Sequence, residues 1–143
     1  MTLFYGRILG IDYGSKRIGV AVSDPLKIIS QGVGTLENDD RTFDRLKKII
    51  TEREIDLIVV GMPYTDDGGK GKKALEVDAF IESLIRTTDV GIVTWDESFS
   101  SVNAQRSFID GGMKKKQRRQ KQRVDEMAAR LMLQDYLDHR PGG

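Results

Sequence analysis

Between Gly10 and Asp24 the chain reads G-I-D-Y-G-S-K-R-I-G-V-A-V-S-D, and this stretch restricts the fold more than any other. Ile8, Leu9 and Ile11 form an apolar run that stops at Asp12, while Ile18, Val20 and Val22 alternate with smaller residues beyond the Gly14-Ser15 turn. A period of two on either side of a glycine turn predicts two strands, about Arg7 to Tyr13 and Arg17 to Ser23. Aspartate is a poor strand former. Set against such a core, the carboxylate of Asp12 loses hydration that only a cation, a hydrogen-bond donor or a ligand restores. A divalent metal ion is the first candidate for that partner.

The pattern predicts a third strand near Ile28 to Leu36, where Gly32 and Gly34 suggest a bulge. The period then lengthens. Asp39 or Asp40 is placed to cap a helix carrying Phe43, Leu46, Ile49 and Ile50 on one face. Asp56 to Gly61 reads as a strand buried on both faces. A glycine- and charge-rich loop, Met62 to Lys73, precedes a helix through Ala74, Val77, Phe80 and Leu84. Val90 to Trp95 reads as another buried strand ending at Asp96-Glu97, followed by a helix from Ser100 or Ser101 to Ile109 and a last helix through Val124, Ala128, Leu131 and Leu137.

Three leading strands followed by alternating helices and strands predict an α/β fold. Its sheet is mixed, an antiparallel meander continued by parallel strands through right-handed crossovers. At 143 residues the chain is expected to form a single domain over 1–143, with a basic loop at 111–123. Cysteine is absent, which removes disulfides, thiolate nucleophiles and Cys-ligated zinc together. Neither a long apolar segment nor a signal-peptide layout is present, so a soluble cytoplasmic protein without a membrane partner is expected.

The net charge of +1 conceals an asymmetry. Lys114, Lys115, Lys116, Arg118, Arg119, Lys121 and Arg123 fall within ten residues that contain no acid, leaving 16 basic residues elsewhere against all 22 acids. Like charges packed this tightly repel unless solvent or a polyanion relieves them, so the block is a candidate contact for a phosphate backbone.

In open α/β sheets, ligands bind at the carboxyl ends of strands near a topological switch. Asp12 near the end of the first strand and Glu97 at the end of the last fall where that rule applies, and Asp125 opens the final helix. On that helix Asp125, Ala129, Met132 and Tyr136 share one face. Any one of these acids taken alone is more often a cap or a salt-bridge partner, but three carboxylates converging on one crevice would repel by roughly 4 kcal/mol per pair at ~4 Å and an effective dielectric of 20. Something positive must hold them together. Hard oxygen ligands without cysteine or a usable histidine favour Mg²⁺ or Mn²⁺ over zinc, and a pair of such ions suits phosphodiester hydrolysis.

Four segments carry a family resemblance: Gly10-Ile11-Asp12-Tyr13-Gly14 with Lys16-Arg17-Ile18-Gly19-Val20-Ala21-Val22-Ser23-Asp24; Val59-Val60-Gly61-Met62-Pro63 with Asp67-Gly68; Trp95-Asp96-Glu97; and Val124-Asp125-Glu126-Met127-Ala128-Ala129 before Leu131-Met132-Leu133-Gln134-Asp135-Tyr136-Leu137. Together they resemble the YqgF-type family from about Arg7 to Leu137. The resemblance implies an RNase H-like five-stranded fold related to Holliday junction resolvases, and a nuclease that matures the 5′ end of pre-16S ribosomal RNA. It also implies that Asp12, Glu97 and Asp125 are catalytic and bind metal, and that Lys16 and Arg17 form a basic turn able to approach phosphate. A ribosomal RNA precursor is then the expected partner ahead of a four-way DNA junction. Ribosome association, and a monomer or homodimer, fit the same reading.

Two departures from the pattern bear on activity. The family usually follows Asp-Glu with an arginine, where this chain has Ser98; loss of the guanidinium removes a bidentate phosphate fork. The resolvases carry an acid or histidine one turn before the helix acid, where this chain has Gln122, which predicts a weaker second metal site and slow cleavage. Alternatives therefore include a Holliday junction resolvase and a nucleic-acid-binding module without turnover. Gly10 to Ser15 also looks like the first phosphate loop of actin-like kinases and chaperone ATPases, but those clasp nucleotide between two domains. Gly68-Gly69-Lys70-Gly71-Lys72-Lys73 lacks the Gly-Lys-Ser/Thr ending of a nucleotide-binding loop and is taken as mobile. His139, in a terminal tail, is too remote to serve Ser98, Ser100 or Ser101 as a base.

Overall fold

The structure is a computed structural model that describes residues 6–97 and 115–140, with residues 115–124 described by their backbone alone. The elements in chain order are β1 (Arg7–Asp12), β2 (Arg17–Ser23), β3 (Ser30–Glu37), α1 (Thr42–Glu52), β4 (Ile55–Met62), α2 (Lys72–Thr87), β5 (Gly91–Asp96) and α3 (Lys115–His139). They form a five-stranded sheet ordered β3-β2-β1-β4-β5. The pairs β1–β2 and β2–β3 are antiparallel, whereas β1–β4 and β4–β5 are parallel. The chain therefore switches from hairpin to crossover connections at β1, the central strand, as the pattern predicts. The bulge also forms: Val20 pairs with Gly34 and Ala21 with Gly32, leaving Val33 without a partner in the ladder.

Alternation along the strands sorts the core into two layers. Leu9, Ile11, Ile18, Val20, Ile58 and Val60 face α1 and α2, where they meet Leu46, Val77, Phe80 and Leu84. Ile8, Ala21 and Val59 face α3 and pack on Ala129, Met132, Leu133 and Leu137. Small residues on that second face let the helix come close. A Cβ at Gly10 would lie 2.8 Å from Leu133 Cβ, and one at Gly19 would collide with the backbone carbonyl of Asp125. Gln134 completes the seat: its Oε1 accepts from Ser30 N at 2.9 Å and its Nε2 donates to Ile28 O at 2.9 Å.

Three local expectations are corrected. β5, like β3, is an edge strand among the described residues, and it is mostly exposed because only β4 pairs with it. α3 begins at Lys115, so the basic segment is helical from that residue on. Lysine, glutamine and arginine are all good helix formers, and no glycine, proline or β-branched residue interrupts them before Val124. His139 is the last residue of α3 and lies on Trp95, with ring centroids 6.4 Å apart. The expected helix over Ser100 to Ile109, Ser98, Phe99 and Lys114 lie outside the described residues. Asp24 caps the exit of β2, its Oδ1 accepting from Ile28 N and Ile29 N at 2.7 and 2.8 Å. Burial opposes its charge, yet these and neighbouring backbone donors hold the carboxyl below its ordinary range.

No described helix is long and apolar enough to cross a membrane. Replacing Gly19 by alanine should cost about 1–3 kcal/mol, since the obstructing atom is helix backbone and α3 must shift. Gly91→Ala, whose new methyl would meet only Leu57 Cδ1 at 3.6 Å, should change stability by less than about 0.5 kcal/mol. Urea denaturation of both variants checks the contrast.

Candidate active site

Asp12 ends β1 at the carboxyl edge of the sheet, only 4% exposed. It pairs with Gly19 on β2. On β4 the residue after Val60, the partner of Ile11, is Gly61. Paired residues of neighbouring strands point to the same face, so Asp12 stands on the α3 side with no side chain on either flank. Both gaps are filled from elsewhere in the chain. Over Gly19 passes the turn of α3 that carries Asp125. Over Gly61 lies the Glu97 carboxylate, whose Oε1 occupies the place a Cβ would need.

Glu97 reaches that place because Gly61 pairs with Trp95 and the Glu97 amide donates to Met62 O at 3.1 Å, extending the β4–β5 ladder by one step. Trp95 and Glu97 thus share the α3 face, and Glu97 is only 2% exposed. Trp95 is fixed from three directions. Its Nε1 donates to Asp135 Oδ2 at 2.8 Å, and its ring meets Tyr136 edge-on and stacks on His139. Tyr13 packs on Phe80 at a centroid distance of 5.0 Å. Both aromatic rings are therefore used in packing.

A cavity of about 460 Å³ opens at the mouth of this arrangement. The β1–β2 turn from Asp12 to Arg17 forms one wall, Asp125 another, and Lys72, Lys73 and Glu76 of α2 the third. Arg17 Nε lies 3.7 Å from Asp125 Oδ2, an ion pair across the cavity wall. Of the residues expected from sequence, Asp12, Asp125, Lys16 and Arg17 line this space; Glu97 sits behind Gly61 and does not. Lys115, Lys116, Arg118, Arg119, Lys121 and Arg123 belong to the amino-terminal half of α3.

Lys72, Lys73 and Glu76 escape the sequence reading because the glycine-rich stretch before them looks mobile. It folds instead into a bonded turn: Thr65 N donates to Gly69 O at 2.9 Å, and Gly68 N to Thr65 O at 2.8 Å. The Thr65 hydroxyl donates to Asp67, which with the Gly69 amide holds that carboxyl below its ordinary range. Lys70 pairs with Asp78 at 2.9 Å, and this contact raises its pKa. One available signal pointed to these residues. A parallel crossover brings the start of its helix to the carboxyl end of the sheet, so basic residues in the first turn of α2 arrive beside Asp12.

A family model described as "RuvX: Holliday junction resolvase" matches residues 6–139. The chain belongs to the RuvX, YqgF-type family. A "Putative pre-16S rRNA nuclease" of Desulforamulus reducens is 41% identical over 134 residues, covering 92% of this chain and 96% of its own. Another of that name from Thermoanaerobacter pseudethanolicus is 40% identical over the same shares of both chains. Among solved structures, Thermus thermophilus RuvC bound to a Holliday junction superposes with TM-score 0.55 at 11% identity, covering 93% of this chain and 95% of that one. The fowlpox virus resolvase in complex with junction DNA gives 0.51 at 15% identity, covering 92% and 97%. At such identities the likeness is one of fold, the RNase H-like sheet of the RuvC-type resolvases.

In this RuvX-type chain the donor set suits a hard divalent ion. It consists of carboxylates alone, on three separate elements, and the cradle over Gly61 is occupied by an acid rather than by a methyl group. As the side chains stand, no three acidic or imidazole groups among the described residues are gathered closely enough to hold an ion, and Arg17 is the cation beside Asp125. A metal site built from Asp12, Glu97 and Asp125 would need their carboxylates to take up other positions than these. The glycine gap offers a selective probe. Gly61→Ala should displace the flexible end of Glu97 with little loss of thermal stability, while weakening Mn²⁺ binding about 10-fold or more, an effect typical of disturbed metal shells. Calorimetric titration paired with a melting curve checks both halves.

Proposed function

We propose that this chain is a divalent-metal-dependent nuclease that hydrolyses phosphodiester bonds in structured nucleic acid, acting in the cytoplasm on the 5′ end of precursor 16S ribosomal RNA. The observation that carries this reading is the glycine-flanked Asp12. Of its two neighbours, Gly61 leaves its place to the Glu97 carboxylate and Gly19 leaves room for the α3 backbone at Asp125, at the sheet edge where the fold binds ligands and beside a basic turn. The names of the relatives support the RNA substrate.

In this reading Asp12, Glu97 and Asp125 hold Mg²⁺ or Mn²⁺. The bound ions supply Lewis-acid activation of water and of the scissile phosphate, so the chain needs no nucleophile of its own. Arg17 then exchanges its Asp125 contact for a phosphate oxygen, and Lys16 adds charge from the same turn. The basic residues from Lys114 to Arg123 hold the backbone without reading sequence, so affinity falls steeply with salt. Recognition comes from substrate shape. With no arginine after Glu97, Arg17 of the basic turn supplies the guanidinium that lines the cavity among the described residues.

A second reading, cleavage of four-way DNA, is favoured by the description of the matching family. Incubating a labelled precursor-rRNA fragment and a DNA junction with Mn²⁺, Mg²⁺ or EDTA separates the two. Metal-dependent cutting of the RNA, reduced at least about 10³-fold in Asp12→Asn with binding retained, is the expected result. Preferential cutting of the junction would move the assignment to the resolvase, and binding without cutting in every metal would make the chain a non-catalytic module.

A further inference from the structure

The cavity beside Asp12 holds more positive charge than the turn after β1 explains. Lys16 and Arg17 enter from that turn, and Lys72 and Lys73 enter from the far wall, on a different element and the opposite layer of the sheet. Against them stand Asp12, Asp125 and Glu76. Arg17 is matched with Asp125, but among the described residues no ion pair is formed by Lys16, Lys72 or Lys73. Lys70, two residues before Lys72, is by contrast tied to Asp78.

The position of the two α2 lysines is unfavourable on local grounds. They are the first two residues of a sixteen-residue helix whose first turn contains no acid and whose Gly71 cap provides no side-chain acceptor. Cations at this end oppose the helix dipole, where acids are the stabilising choice. Lys16, Lys72 and Lys73 are exposed and, with Arg17, outnumber the three acids of the lining by one, so among the described residues the cavity keeps an excess of positive charge that favours an entering anion. Glu76, one turn further along α2, offsets Lys72 and Lys73 in part, and a local rule broken to this extent points to a ligand. At about 460 Å³ the space admits one nucleotide with its phosphate and is too small for a duplex.

We propose that Lys72, Lys73 and Lys16 form a phosphate-anchoring subsite for a single nucleic-acid strand, one step along the backbone from the phosphate at Asp12. The inference rests on the nuclease reading and deepens it. The strand held here crosses the end of the sheet from the α3 side, where the acids lie, to the α2 side. Anchoring the neighbouring phosphate fixes the direction of the strand through the site, a task that the single turn at Lys16-Arg17 cannot perform alone. The anchored group is a phosphate in either an internal phosphodiester or a 5′-terminal monoester.

The test is fluorescence anisotropy in EDTA, where cleavage is absent, using short labelled single-stranded RNA with a 5′-phosphate or a 5′-hydroxyl. Wild type is compared with Lys72→Gln/Lys73→Gln and with Lys47→Gln/Lys48→Gln, a charge-matched pair on the exposed face of α1. The expected result is a loss of affinity of about tenfold or more in the α2 variant only, with a salt dependence shallower by about 0.7 per phosphate contact removed. If the loss is confined to the 5′-phosphorylated RNA, the anchored group is the terminal monoester; an equal loss for both assigns it to an internal phosphodiester. Equal effects of the two double variants, or no effect of either, would overturn the subsite while leaving the nuclease reading in place. Failure of wild type to bind RNA or a DNA junction at all would overturn both.

Discussion

Everything at the functional end of this molecule depends on keeping one carboxylate buried at the end of a central strand. Asp12 is tolerated there because the residues flanking it on β2 and β4 are glycines, and the vacated volume is given to the α3 backbone at Asp125 and to the Glu97 carboxylate. An apolar residue at either flank would seal Asp12 into a hydrophobic layer, where an ionised carboxyl is costly. The glycines therefore serve two purposes at once. Gly19 allows α3 to approach the sheet closely enough to bury Met132 and Leu133, and Gly61 leaves room for the Glu97 carboxylate.

The sheet topology supplies the rest of the site. Because β1 lies between an antiparallel partner and a parallel one, its carboxyl end receives a tight turn on one side and the beginning of a crossover helix on the other. The turn brings Lys16 and Arg17, and the helix brings Lys72 and Lys73. Negative charge thus collects on the α3 side and positive charge around the mouth. In the proposed reading, a phosphodiester strand held by ions on the first and by ammonium groups on the second is the ligand that complements both.

Much of this was legible in the amino-acid sequence. The two-residue period around Asp12, the bulge signalled by Gly32 and Gly34, and the helical periods of α1 and α2 are local signals, and each maps onto an element that forms. The acid in a strand announced itself because it violates strand chemistry. Other features were illegible because they arise from contacts between distant segments. The exposure of β5 depends on its place in the sheet order, not on the apolar character of Ile92 and Val93. The lysines of α2 acquire meaning only once the crossover brings them next to β1, and a glycine-rich stretch reads as mobile until Thr65, Asp67 and Gly69 are seen to close it.

The proposed function stands on a divalent-ion site made by Asp12, Glu97 and Asp125 around the glycine-flanked strand end. Electron paramagnetic resonance of Mn²⁺ titrated into wild-type protein and into Asp12→Asn tests it without reference to any substrate. Saturable binding by wild type, of one or two ions per chain and abolished in the variant, is the predicted result. Mn²⁺ binding of equal stoichiometry and affinity in both proteins would contradict the account.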